Sequence, residues 1–225
     1  MGQRVTFPAN GRQTTGYLAQ PQGGGKAPGV IVIQEWWGLV PQIERVCDRL
    51  ADAGFAALAP DLFHGETAKA PDQAGKLMMA MNIGQTEQDL RGAVKYLLGQ
   101  PFVSGRKVGT VGFCMGGALS LFAASKNPEV GACVVFYGGH PNVQPDLLNL
   151  QAPVLGLYGG KDGFVTPDAV HQLDAELTRL GKRHEFHTYA NADHAFANEE
   201  GPNYNAAATK DAWERTVKFL RSELK

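Results

Sequence analysis

Strand-like runs alternate with segments of helical spacing along most of this chain, and that alternation restricts the fold more than any other feature. GVIVIQ (29–34) is a continuous apolar, β-branched run, the pattern of a strand buried on both faces. FAALAP (55–60), KVGTVGF (107–113), GACVVFYG (131–138), PVLGLYG (153–159) and HEFHTYA (184–190) read as further strands. VTF (5–7) and GYLAQ (16–20) flank Asn10-Gly11, a favoured pair for a hairpin turn.

The segments between them have helical character. IERVCDRLADAG (43–54) sets Ile43, Val46, Cys47, Leu50 and Ala51 on one face and stops at Gly54. DQAGKLMMAMN (72–82) predicts a short helix, and TEQDLRGAVKYLLG (86–99) a longer one capped by Thr86, with Asp89 in its first turn. MGGALSLFAASK (115–126), PDAVHQLDAELTRLG (167–181) and NAAATKDAWERTVKFLRSEL (205–224) complete the set. This order predicts an α/β fold, a mostly parallel twisted sheet with helices on both faces. No repeat or long linker interrupts it, so one domain over 1–225 is expected.

Composition excludes several partners. Lys+Arg is 21 and Asp+Glu is 22, a net charge of −1, which suits neither nucleic acid nor an anionic membrane. No apolar run has transmembrane length. Three cysteines, an odd number without metal-ligand spacing, point to a reducing cytosolic setting and no metal.

Within this frame GTVGFCMGG (109–117) carries chemistry. Gly112-x-Cys114-x-Gly116 has the spacing of a nucleophile elbow, with a thiol where serine is usual. Cys114 falls between a strand and a helix, at the sheet edge where ligands bind. There the unpaired N–H groups and the dipole of a helix favour an anion such as a thiolate. The Met115 N–H would face a developing oxyanion. Alone, the frame fits an inert buried thiol better than a nucleophile. Cys47, on an apolar helix face, and Cys133, inside a strand, read as plain core residues.

Partners follow in the chain order nucleophile, acid, histidine. Asp162 in LYGGKDGFV (157–165) and His194 in YANADHAF (189–196) each follow a strand, so all three reach the same edge. His194 could take the thiol proton, and Asp162 could fix its tautomer. His140 also follows a strand but precedes Asp162, the wrong order. Asp193 and Asp61 read as turn residues. Across the cleft, IQEWWGLVPQI (33–43) offers the Trp36 N–H as a second oxyanion donor. Glu35 is either a capping or solvated group, or a carboxylate that opposes the thiolate or holds its S–H. Trp36, Trp37, Phe164 and Phe196 could wall an apolar pocket, with Met78 facing it or the core.

QEWWG, APDLFHG, GFCMGGALS, YGGKDGFV and ADHAF together resemble the dienelactone hydrolase family of α/β-hydrolases over nearly the whole chain. The resemblance implies an α/β-hydrolase fold and a cofactor-free ester or lactone hydrolase, usually a monomer. It implies a triad of Cys114, Asp162 and His194, and an oxyanion hole from the N–H groups of Met115 and Trp36. It also implies that Glu35 binds the resting thiol and swings away when a small-molecule substrate enters. Members that open dienelactones hold the substrate carboxylate with arginines. One follows the histidine motif, as in HSFAR, where HAFAN here has Asn198; the other precedes the helix at 72–82, where this chain has Pro71. An aromatic of that helix is replaced by Gly75 or Met78. A neutral ester or lactone is therefore a plausible substrate, and a general esterase or thioesterase is the alternative reading. A thiol redox sensor is a third, with no resolving cysteine evident.

Overall fold

The computed structural model describes residues 2–224; Met1 and Lys225, the ends of the expected domain, lie outside it. Eight strands form one sheet in the order β1-β2-β4-β3-β5-β6-β7-β8. They are β1 (Gln3–Ala9), β2 (Arg12–Ala19), β3 (Ala27–Ile33), β4 (Ala56–Pro60), β5 (Val103–Phe113), β6 (Val130–Phe136), β7 (Val154–Gly159) and β8 (His184–Tyr189). The hairpin β1/β2 and the β2/β4 pair are antiparallel, and all pairs from β4 to β8 are parallel. Asn10 and Gly11 both take positive φ (51° and 69°), the geometry of a primed hairpin turn.

Six helices follow: α1 (Pro41–Asp52), α2 (Pro71–Ala80), α3 (Ile83–Leu98), α4 (Met115–Lys126), α5 (Pro167–Arg179) and α6 (Ala206–Glu223). The central strands β3, β4 and β6, and β5 from Val108 onward, are almost wholly buried, because helices cover both faces and leave no polar side to alternate with. On one face α3 contacts α4; on the other Arg49 of α1 stacks over the Trp213 ring of α6, 4.4 Å from its centroid. α4 is buried along nearly its whole length, so its polar Ser120 is satisfied internally by Thr110 and the Val134 carbonyl.

Several boundaries differ from expectation, the starts of α3 and β5 among them. Thr86 does not cap α3. Asn82 does, accepting from the Gln85 N–H at 3.1 Å, and the Thr86 hydroxyl bonds back to the Asn82 carbonyl. Both are cap-forming residue types, and the earlier one starts the helix a turn sooner. Asp89 then lies mid-helix, where it is buried against Arg12 and His64 rather than set in a first turn. β5 also begins earlier, at Val103, because residues 103–104 pair with Ala27 and Pro28 before the register shifts.

The chain passes from β3 through α1 to β4 on one side, then returns over β3 to β5 on the other. The sheet therefore has its switch point between β3 and β5, where a crevice opens beyond their carboxyl ends. Glu35 and Cys114 are the residues that the chain places there. This junction allows almost no extra volume. A Cβ on Gly112 would lie 1.8 Å from the Gly116 carbonyl oxygen, and one on Gly116 would lie 2.3 Å from that of Ile33. Gly116→Ala should therefore force α4 away from β3 and cost about 3 kcal/mol or more. A fall in the urea midpoint checks this, and an unchanged midpoint would show that the junction has slack.

Candidate active site

The strand–helix turn sets Cys114 at φ 53° and ψ −120°, a strained conformation for a residue with a side chain. Four backbone hydrogen bonds hold it. Its N–H donates to the Phe136 carbonyl at 3.0 Å, and its own carbonyl accepts from Gly117 at 2.9 Å, Gly139 at 3.2 Å and the Ala118 N–H at 3.3 Å. The sulfur is thereby lifted above β5 at the start of α4. The thiol faces His194, with 3.2 Å between Sγ and Nε2. His194 Nδ1–H donates to Asp162 Oδ2 at 2.8 Å.

Each partner is fixed by its loop. Asp162 is 2% exposed, and its other oxygen accepts from the Phe164 and Val165 N–H groups, both at 2.8 Å. His194 sits between rings of Phe164 and Tyr137, edge-on at centroid separations of 5.1 and 5.2 Å. Its N–H donates to Asp193 and its carbonyl accepts from Asn203, so Asp193 serves the turn. The imidazole thus has one available orientation, with Nε2 turned to the sulfur. Among the described residues, neither the Met115 nor the Trp36 N–H has a backbone acceptor. The end of β3 lies against the first turn of α4, since the Gln34 carbonyl is 2.4 Å from where a Gly116 Cβ would be. Residues 34–36 and the start of α4 therefore face one another across the crevice.

Glu35 departs from expectation. It is 2% exposed but does not hold the thiol. Asn198 Nδ2 donates to its Oε2 at 2.8 Å, and the Tyr137 hydroxyl donates to its Oε1 at 3.3 Å. Two neutral donors from other loops satisfy both oxygens, so the thiol turns to His194 instead. Tyr137 is a component that the sequence reading missed. It is fully buried with φ 38°, and its only signal is its place directly after β6, at the same edge.

The electrostatics also reverse one expectation. The Cys114 thiol is not lowered by the helix N-terminus; it is pushed up to about 12, mainly by burial and next by the nearby Glu35. The Met115 N–H acts in the opposite sense but is outweighed, because desolvation of a thiolate costs more than one amide returns. Burial likewise raises Glu35, against the lowering influence of Asn198, His194 and Tyr137. At rest the sulfur is thus held as a thiol, facing His194 Nε2.

The expected pocket wall is present in part. Trp36 and Trp37 are half-buried and meet edge to face, and Phe164 is 55% exposed beside His194. Phe196 is not a wall residue. It is fully buried, packed on Phe136, Tyr137 and Tyr189, because the turn after His194 directs it beneath the loop. Met78 is buried within α2, and its carbonyl accepts from His140 Nε2–H. Cys47 and Cys133 are buried free thiols, and Asp61 caps the turn that follows β4. Among the described residues no cluster of side chains has metal-binding geometry, and no helix is long and apolar enough to cross a membrane.

These features define an α/β-hydrolase fold with a Cys-His-Asp row at its switch point, and comparison with known proteins gives the family. The model of the dienelactone hydrolase family matches residues 14–224. A protein named usf from Aquifex pyrophilus is 39% identical over the full length of both chains. A protein of Aquifex aeolicus provisionally named a carboxymethylenebutenolidase is 36% identical, again over 100% of each. A crystal structure from Klebsiella pneumoniae, provisionally described as a dienelactone hydrolase, superposes with a TM-score of 0.90 at 29% identity, covering 98% of both chains. The chain belongs to the dienelactone hydrolase family of hydrolases.

Glu35 and the buried thiol generate a direct test. Glu35→Gln removes a charge that raises the thiol, so more thiolate should exist at any given pH. Alkylation of Cys114 by iodoacetamide should be slow at neutral pH in the wild type, rise steadily with alkalinity, and be several-fold faster in the variant. Equal rates in both proteins would show that Glu35 does not act on the sulfur.

Proposed function

We propose that this chain is a cysteine-dependent hydrolase of carboxylic esters or lactones, acting through an acyl-enzyme on Cys114. The observation that carries the reading is the unbroken row from Sγ to Nε2 at 3.2 Å and from Nδ1 to Asp162 at 2.8 Å.

The thiol proton passes to His194 Nε2 as Sγ attacks the substrate carbonyl carbon. A raised thiol makes these events concerted, because a free thiolate is disfavoured before the carbonyl arrives. The carbonyl electrons move to oxygen, and the N–H groups of Met115 and Trp36 receive the oxyanion. Asp162 keeps Nδ1 protonated and stabilises the imidazolium. The tetrahedral intermediate expels the alkoxide, which takes the proton from Nε2, and a thioester remains on Cys114. Water then gives a proton to His194 and attacks the thioester. The acid leaves and the thiol takes its proton back. Glu35, held away from the sulfur by Asn198 and Tyr137, opposes thiolate formation while the site is empty.

Every group this chemistry needs comes from the chain, so the reading calls for no cofactor or metal. It describes one domain working as a monomer on a small molecule in a reducing, cytoplasmic setting. Asn198 and Pro71, where dienelactone-opening relatives have arginines, favour neutral esters or thioesters over dienelactone itself.

Cys114→Ala and His194→Ala should each lower kcat/KM for a neutral aryl ester by about 10³-fold or more, and the double variant should lose little beyond either alone. Asp162→Asn should lower kcat with KM nearly unchanged. Full activity in Cys114→Ala would overturn the reading.

A further inference from the structure

Cys114 is 7% exposed. An ester must reach its sulfur, so part of the wall around it has to move. Cavities of about 490 and 520 Å³ lie elsewhere, one between β7, β8 and α6 and the other between the β1/β2 turn and α3.

The helix α2 is placed to be the moving part. Three residues before it, the Ala68 N–H donates to the Trp37 carbonyl at 3.0 Å, which ties its start to the tryptophan side of the cleft. In its last turn the Met78 carbonyl accepts from His140 Nε2–H at 3.3 Å. His140 follows Gly139, whose N–H donates to the Cys114 carbonyl at 3.2 Å. A Cβ on Gly139 would lie 3.1 Å from the Phe164 ring, so the far end of α2 is tied to the phenylalanine side. Pro71 and Met78 are about 10 Å apart along the helix axis. Helix α2 thus crosses from one wall of the cleft to the other.

It is lightly held there. Of its ten residues, Ala74 and Met78 alone are buried, and a Cβ on Gly75 would meet no atom within 4 Å. Its ion pair, Lys76 with Asp72, is internal to the helix. Among the described residues, the bond from His140 is the one hydrogen bond that joins α2 to a distant part of the chain. The ring is oriented for that bond. The Asn142 N–H donates to Nδ1 at 3.0 Å, which leaves the proton of the neutral imidazole on Nε2. A segment with few buried apolar contacts and one remote tie opens more readily than the packed core.

We propose that α2 is a lid over Cys114 and that His140 is the latch that holds it shut. His140 acts through α2 and is a positioning residue, not a catalytic one. The proposal rests on the reading of Cys114 as the nucleophile, because it concerns what reaches that sulfur.

Deuterium exchange read by peptide mass spectrometry follows the lid, and alkylation of Cys114 by N-ethylmaleimide follows access to the sulfur. Neither needs turnover. In the wild type the amides of residues 74–81 should exchange at least about tenfold faster than those of α4. His140→Ala removes the latch, and Met78→Ala loosens the seat of the lid without touching the loop at 137–140. Each should speed both exchange in that segment and alkylation by about fivefold or more, with α4 still protected. A segment as protected as α4 in the wild type overturns the proposal, as does alkylation unmoved in both variants. Faster exchange without faster alkylation also overturns it, since α2 would then move without controlling the sulfur. Full esterase activity in Cys114→Ala is the separate failure of the catalytic reading.

Discussion

The backbone of one residue, Cys114, ties together the parts on which the site depends. Its strained conformation costs on the order of 1–3 kcal/mol, and the surrounding chain holds it in place. The Cys114 N–H is bound to the end of β6, and its carbonyl to both the first turn of α4 and the loop after β6. The close contacts of Gly112 with Gly116, Gly116 with Ile33, and Gly117 with Gly138 leave room for no other arrangement. Because β3, β5, β6 and α4 meet at this turn, the sulfur, the Met115 amide, the Glu35 carboxylate and the Tyr137 ring have fixed relative positions. The loops that bring Asp162 and His194 need only complete a geometry already set.

Burial decides the electrostatic character of the site. A helix N-terminus, taken alone, favours thiolate. Here desolvation and the Glu35 charge win, and the thiol stays protonated. Such a site resists oxidation and stray alkylation at rest, since the thiolate is the reactive form. Its reactivity then depends on a carbonyl being present to accept electrons as the proton moves. The buried carboxylate that adds to this effect is itself held by two neutral donors, Asn198 and Tyr137.

The parts of the structure legible in the sequence are those that rest on local pattern. Continuous apolar runs located the central strands, because strands buried on both faces have no polar side. Gly112, Gly116 and Gly117 marked the turn, because its close approaches exclude a Cβ. The placement of Asp162 and His194 after β7 and β8 followed from strand order. Contacts between distant residues were not legible. Glu35 meets Tyr137 and Asn198 across separations of 102 and 163 residues, and no spacing signals such a network. Phe196 was misread because the direction of a side chain in an irregular loop has no period to follow. The direction of the Cys114 shift was misread because a motif indicates the helix dipole but not the depth of burial. Asn82 displaced Thr86 as the cap of α3 because two cap-forming residues one turn apart leave the choice to packing.

The central claim is that the sulfur of Cys114 carries the acyl group between attack and release. Intact-mass and peptide mass spectrometry, after rapid acid quench of the enzyme with a slowly deacylating aryl ester, tests it most directly. The account predicts a mass increase equal to the acyl group, located on the peptide containing Cys114, that appears with leaving-group release and decays with acid formation. Turnover without any adduct on that peptide, or with the acyl group on another residue, would contradict it.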